Sequence, residues 1–135
     1  MKNLTLAAIS IPVLLVLDLL WIGVIAAGFY KAELGPLLRP DIVWQAAVLF
    51  YVIYAFGLAF FVVRPALESG QAFKRTALAG AFFGLVAFAT CDLTNLATIA
   101  GWSTLETFVD MGWGVIATTI ATTVSYFAGK KLLGY

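Results

Sequence analysis

Three aspartates, Asp18, Asp92 and Asp110, stand inside long apolar stretches of the 135-residue sequence, with no Lys or Arg at comparable depth. An ionised carboxylate at the centre of a membrane helix costs about 2.5 to 3.5 kcal/mol, so three cost roughly 8 to 10 kcal/mol unless something compensates them. A proton relay, a cation site or a binding pocket would do so, and intramembrane carboxylates carry that functional reading by default. The competing reading is a hydrogen-bonded polar seam that keeps its protons and joins helices in lipid. Such contacts average only about 0.6 kcal/mol, which accounts for one buried aspartate more readily than for three.

Spacing supplies candidate partners. The segments Asp18-Leu-Leu-Trp21 and Asp110-Met-Gly-Trp113 each place an indole N–H about one turn from a carboxylate, so Trp21 and Trp113 are candidate donors to them. Asn95, three residues after Asp92, shares its helix face and is expected to hold it or to bind a ligand. Tyr51 and Tyr54 offer hydroxyls from another stretch. Ser103-Thr104-Leu105-Glu106 fits a capping box, which assigns Glu106 a structural part. Cys91 reads as an inert filler, because no histidine exists to generate its thiolate. Thr118, Thr119, Thr122, Thr123 and Ser125 could line a polar route, but such hydroxyls usually bond their own backbone a turn earlier, and that is the expectation.

The elements that carry these residues follow from composition. The chain is 63% hydrophobic and 11% charged, with a mean hydropathy of +1.02. Soluble domains carry about 25% charge, so an ordinary globular protein is excluded. A formal net charge of +1 leaves no electrostatic footprint for nucleic acid. A single cysteine makes no internal disulfide, and the absence of histidine removes the usual zinc and haem ligand sets. No cofactor or metal is expected, and any metal chemistry would have to use oxygen ligands.

The expected fold is an all-α integral membrane protein, a single-domain four-transmembrane-helix bundle with spans at about 4–29, 41–63, 71–100 and 104–128. Gly35-Pro36 reads as one stop, Pro40 as a start and Arg64-Pro65 as a second stop, and Pro12 is expected to kink the first helix. Gly80 and Gly84 have the spacing for close helix approach, and Gly101-Trp102-Ser103 leaves room only for a tight antiparallel hairpin. With the N-terminus inside, the inner loops hold Lys2, Arg64, Lys74, Arg75, Lys130 and Lys131, and the outer loops hold Lys31 and Arg39. That asymmetry places both termini in the cytoplasm. The first apolar run is long for a signal peptide and contains an aspartate, so an uncleaved span is expected. At 1.5 Å per residue Asp110, Asp92 and Asp18 lie roughly 9, 12 and 16 Å below the outer surface, and Tyr51 about 15 Å. Phe29, Tyr30, Trp44 and Trp102 fall where an outer aromatic belt belongs.

Asp-Leu-Leu-Trp-Ile-Gly at 18–23, Phe-Tyr-Lys-Ala-Glu-Leu-Gly at 29–35, Asp-Leu-Thr-Asn-Leu-Ala-Thr at 92–98 and Asp-Met-Gly-Trp-Gly at 110–114 resemble a bacterial family of small four-span membrane proteins of unknown function. The resemblance covers nearly the whole chain and implies bacterial origin and four spans, without supplying a substrate; the expected location is the bacterial inner membrane. Where that family commonly carries tyrosine before the Asp-Leu-Thr-Asn run, this chain has Cys91.

Three functions compete. A proton-linked carrier or binding protein for a small solute or lipid would use Asp92 and Asp110 as coupled carboxylates, Asp18 as a deeper relay, and Asn95 and Tyr51 to orient the ligand. Four short helices enclose little volume, so a homodimer in membrane lipid is expected with it. An intramembrane lipid-modifying enzyme would use the carboxylates as acid and base. A structural subunit of a larger membrane complex would use the polar seam and the Gly80/Gly84 face for packing.

Overall fold

The computed structural model describes residues 1–135, and it is helical throughout. Helix α1 (Lys2–Leu20) is unbroken at Pro12. Its irregularity falls later, in one π-helical turn over Trp21–Ile25, where the Ala26 amide donates to the Trp21 carbonyl at 2.7 Å. After Ala26 the chain resumes as α2 (Ala27–Leu34) and tightens into a 3₁₀ turn at Gly35–Leu37. Helix α3 (Trp44–Leu58) passes through a second π turn (Ala59–Val63) into α4 (Arg64–Glu68), and α5 (Phe73–Thr98) and α6 (Thr104–Leu133) complete the chain.

Two of the expected stops therefore move. Arg64-Pro65 does not end the second long helix: the chain stays helical through Pro65, with the π turn over Ala59–Val63 lying directly before it. The stop is Ser69-Gly70, with Gly70 in the left-handed region at φ +66°. The long helix of the third span runs from Phe73 to Thr98 rather than over 71–100, and Gly101, at φ +82°, turns the chain into α6.

Three helical stretches are long and apolar enough to cross a membrane: Lys2–Ile25, Trp44–Glu68 and Phe73–Thr98. Helix α6, at 30 residues, is a fourth long helix. It is less apolar because it sits centrally, packed along α5, α1, α2 and α4, so few of its faces need to be apolar. The packing is inverted relative to a water-soluble protein. Large apolar side chains such as Leu19, Val24, Ile53, Phe61, Phe82 and Phe108 point outward, and Ser10, Thr76, Thr107, Thr118, Thr122 and Ser125 are fully buried. In lipid the apolar exterior costs nothing, and small hydroxyls let helices approach. Thr119, Thr122 and Thr123 donate to their own backbone one turn earlier, as that residue type prefers. Ser10 and Ser125 meet at 2.6 Å, as do Tyr54 and Thr118, tying α1 and α3 to α6.

Both termini lie at one end, where Lys2 Nζ donates to the Tyr135 hydroxyl at 2.6 Å. At that end Arg64 Nε donates to Glu68 at 2.8 Å. At the opposite end, the α5–α6 turn end, the Glu106 amide donates to Ser103 Oγ at 3.0 Å, capping α6, and the same hydroxyl donates to Glu33 of α2. Ser103→Ala is expected to lower stability by about 1 to 2 kcal/mol, since a cap is worth about 1 and the tie to α2 goes with it. Detergent-titration unfolding in mixed micelles measures it.

Candidate functional site

The three aspartates of the apolar stretches gather in the half of the molecule toward the α5–α6 turn. Asp18 lies in the last turn of α1 before the π turn, facing α3 and α6. Its Oδ1 accepts from Trp113 Nε1 at 2.8 Å and its Oδ2 from the Tyr51 hydroxyl at 2.5 Å. Two donors from two other helices thus fix one carboxylate, a charge-assisted arrangement stronger than a neutral pair.

The π turn sets the next layer. It carries Trp21 onto Trp113 with the two indoles stacked, 4.6 Å apart and 5° from parallel. Stacking at that distance fixes both rings in their planes, so each indole N–H points away from the aspartate of its own helix. Trp113 therefore serves Asp18, and Trp21 Nε1 donates to the Tyr30 hydroxyl at 2.9 Å. Tyr30 in turn donates to Asp110 Oδ1 at 2.5 Å. Ala26, Tyr30 and Leu34 form a small buried cluster with Trp21, Phe29 and Trp102 against them, which seats α2 over this end of α6.

The third layer is acidic. One carboxylate oxygen from each of Asp92, Glu106 and Asp110 lies within 4.8 Å of the other two. The α5–α6 hairpin makes this meeting: Asp92 is six residues before the end of α5, and Glu106 and Asp110 are four apart on one face of α6. Asp92 and Glu106 are each 2% exposed, and Asp92 Oδ2 and Glu106 Oε2 have no hydrogen-bond partner. The only salt bridge in the structure is Arg64–Glu68, so no cation answers these groups.

Beside these layers lies a cavity of about 330 Å³, lined by Asp18, Asp110, Tyr51, Tyr54, Trp113, Phe50, Phe88, Ala87, Cys91 and Ile22. Phe50 and Ile22 are exposed on the lateral surface of the molecule, so the cavity opens sideways, not at a helix end. It exists because α3 stands apart from α5 here: from Trp44 to Phe50 only Ala47 is even half-buried, and the two helices close up lower down, where Tyr54 and Gly57 meet Phe83.

Of the residues singled out from sequence, Asp18, Tyr51, Trp113 and Trp21 come together in one stack, and Asp92 and Asp110 in the acidic group below the turn. Trp21 and Trp113 serve partners on other helices rather than the aspartates three residues before them. Asn95 does not hold Asp92: it is half-buried and its Nδ2 reaches only Cys91 Sγ at 3.5 Å. Cys91 is exposed and borders the cavity instead of filling a core. Glu106 makes half of the expected capping box through its backbone, and its side chain turns inward to the aspartates. Sequence reasoning missed Tyr30 and Glu106 as site residues. The four-residue spacing of Glu106 and Asp110 was a legible signal, whereas the turn at Ala26 that brings Tyr30 inward has none.

No curated protein and no solved structure matches the chain. A family model described as "Predicted membrane protein (DUF2177)" matches residues 3–127, nearly the full length. The chain belongs to that family of membrane proteins, whose function is unknown.

Proposed function

We propose that this protein is a small four-span carrier or binding protein of the bacterial inner membrane, with both termini cytoplasmic, that takes an organic cation with an apolar part and exchanges it against protons. The observation that carries the reading is the lateral cavity. It offers two carboxylates, Asp18 and Asp110, with no Lys or Arg paired to them, inside a wall of aromatic rings. Aromatic faces attract a desolvated cation by about 2 kcal/mol or more, and carboxylates supply the countercharge. About 330 Å³ lies at the small end of ligand cavities and suits an ammonium head with a short chain. The sideways opening suits a ligand arriving from lipid, such as an amine-bearing amphiphile. A homodimer fits the same proposal, because four helices of this length enclose little volume.

A proton and an organic cation compete for the same carboxylates, so binding is strongest when the carboxylates are ionised and weakens as the pH falls. The test is equilibrium binding of radiolabelled hexyltrimethylammonium, compared with uncharged 1-hexanol, to the full chain in lipid nanodiscs at pH about 5 and about 8. Saturable binding of the cation alone, tighter at the higher pH, is expected. Equal binding of the two compounds, or none of the cation, overturns the reading, and pH-independent binding overturns its proton-linked part.

A further inference from the structure

Asp92 and Glu106 do not line the organic-cation cavity, and nothing proposed so far uses them. They are almost fully buried, each has an oxygen without a partner, and they converge with Asp110 to within 4.8 Å. Asp18 has Tyr51 and Trp113 to answer its charge, whereas Asp92 Oδ2 and Glu106 Oε2 are buried without a partner. Three ionised carboxylates at this separation repel one another unless they take up protons or a cation sits among them.

The geometry points to a binding site for one hard divalent cation of Ca²⁺ size, held by Asp92, Glu106 and Asp110. Ca²⁺ takes oxygen ligands at about 2.3–2.6 Å, so two ligands of one ion stand at most about 4.6–5.2 Å apart, and the three oxygens here lie within 4.8 Å of one another. Mg²⁺, at about 2.0–2.1 Å, demands near-ideal octahedral order and gives up its waters reluctantly. Ca²⁺ also tolerates irregular coordination, which suits ligands drawn from two helices. Tyr30 orients Asp110 by donating to its Oδ1, the second-layer hydrogen bond that metal carboxylates commonly have. Glu106 stands in the first turn of α6, next to the Gly101–Ser103 connection, so the ion reaches the site from the α5–α6 turn end. This inference stands apart from the organic-cation reading and shares only Asp110 with it.

The test is ⁴⁵Ca²⁺ equilibrium dialysis with the full chain in uncharged maltoside micelles, alongside its thermal unfolding with and without Ca²⁺. Wild type is expected to bind one Ca²⁺ per chain saturably and to melt at a higher temperature with it. Asp92→Asn, Glu106→Gln and Asp110→Asn are each expected to weaken binding at least about tenfold, and Mg²⁺ to compete at least about tenfold less well than Ca²⁺. Glu68→Gln, at the termini end, should bind as wild type does. Absence of saturable binding by wild type up to about millimolar Ca²⁺ overturns the site, as does equal binding by wild type and the variants. If the neutral variants do not accumulate, Glu106→Asp decides: it keeps the charge but withdraws the ligand atom, so undiminished affinity overturns the proposal. Hexyltrimethylammonium binding on the same preparation is a separate readout, so either proposal can fail while the other stands.

Discussion

Replacing Gly84 with valine is expected to destroy the packing of α5 on α6 and to remove most folded protein from the membrane. A Cβ at Gly84 would lie 2.4 Å from the Gly114 carbonyl oxygen and 2.6 Å from Thr118 Oγ1. The first is helix backbone and cannot swing aside as a long side chain can. Relief therefore requires the two helices to separate, and this is the most extensive helix pair in the molecule. Overpacking typically costs about 1 to 3 kcal/mol, and a backbone clash belongs at or above the top of that range. Gly114 repeats the arrangement from the other side, with the Phe88 ring 2.3 Å from its notional Cβ. Gly112 has nothing within 4 Å, so Gly112→Ala should stay within about 1 kcal/mol of wild type. Detergent-titration unfolding, with membrane yield beside it, separates the two; equal stability of Gly84→Val and Gly112→Ala would show that α5 and α6 do not meet as described.

The same contact shows what the sequence made legible. Gly80 and Gly84 announced a close approach, and the short Gly101–Ser103 connection named the partner, because α5 has nowhere else to go. Counting depth from that turn also brought Asp92 level with Asp110. What failed was anything that depended on ring orientation or on a local change of helical pitch. The π turn at Trp21–Ile25 has no proline and no distinctive residue to mark it, yet it lays Trp21 on Trp113 and crosses the two indole donors between helices. Spacing along one helix assigned each indole to its own aspartate, and stacking across two helices overrode it. Glu106 was hidden for a different reason. A capping box explains a glutamate by its local backbone, and although the Glu106 amide does donate to the Ser103 hydroxyl, the Glu106 side chain turns to the aspartates instead of back to the Ser103 amide. Tyr30 looked like a belt residue because its position suits one, and only the break at Ala26 turns it inward.

Asp18→Asn is expected to leave the fold intact and to lower hexyltrimethylammonium binding by about a hundredfold or more, the equivalent of roughly 3 kcal/mol or more. The fold should survive because the hydrogen bonds can be rearranged without moving an atom far. Trp113 Nε1 can only donate, so the asparagine carbonyl would face it. The amide NH₂ then faces Tyr51, whose hydroxyl donates to Asp18 in the native protein but can equally accept. Both partners stay satisfied, the Trp21–Trp113 stack is untouched, and only the charge is lost. What remains in the cavity is Asp110, whose Oδ1 is already engaged by Tyr30 and which stands beside two other acidic groups. A residual affinity that no longer depends on pH would follow if Asp18 is the group that trades its proton for the ligand. Binding unchanged by the substitution, with wild-type thermal unfolding, would show that the aspartate most completely held by donors is structural, leaving the aromatic walls without the charge that makes them a cation site.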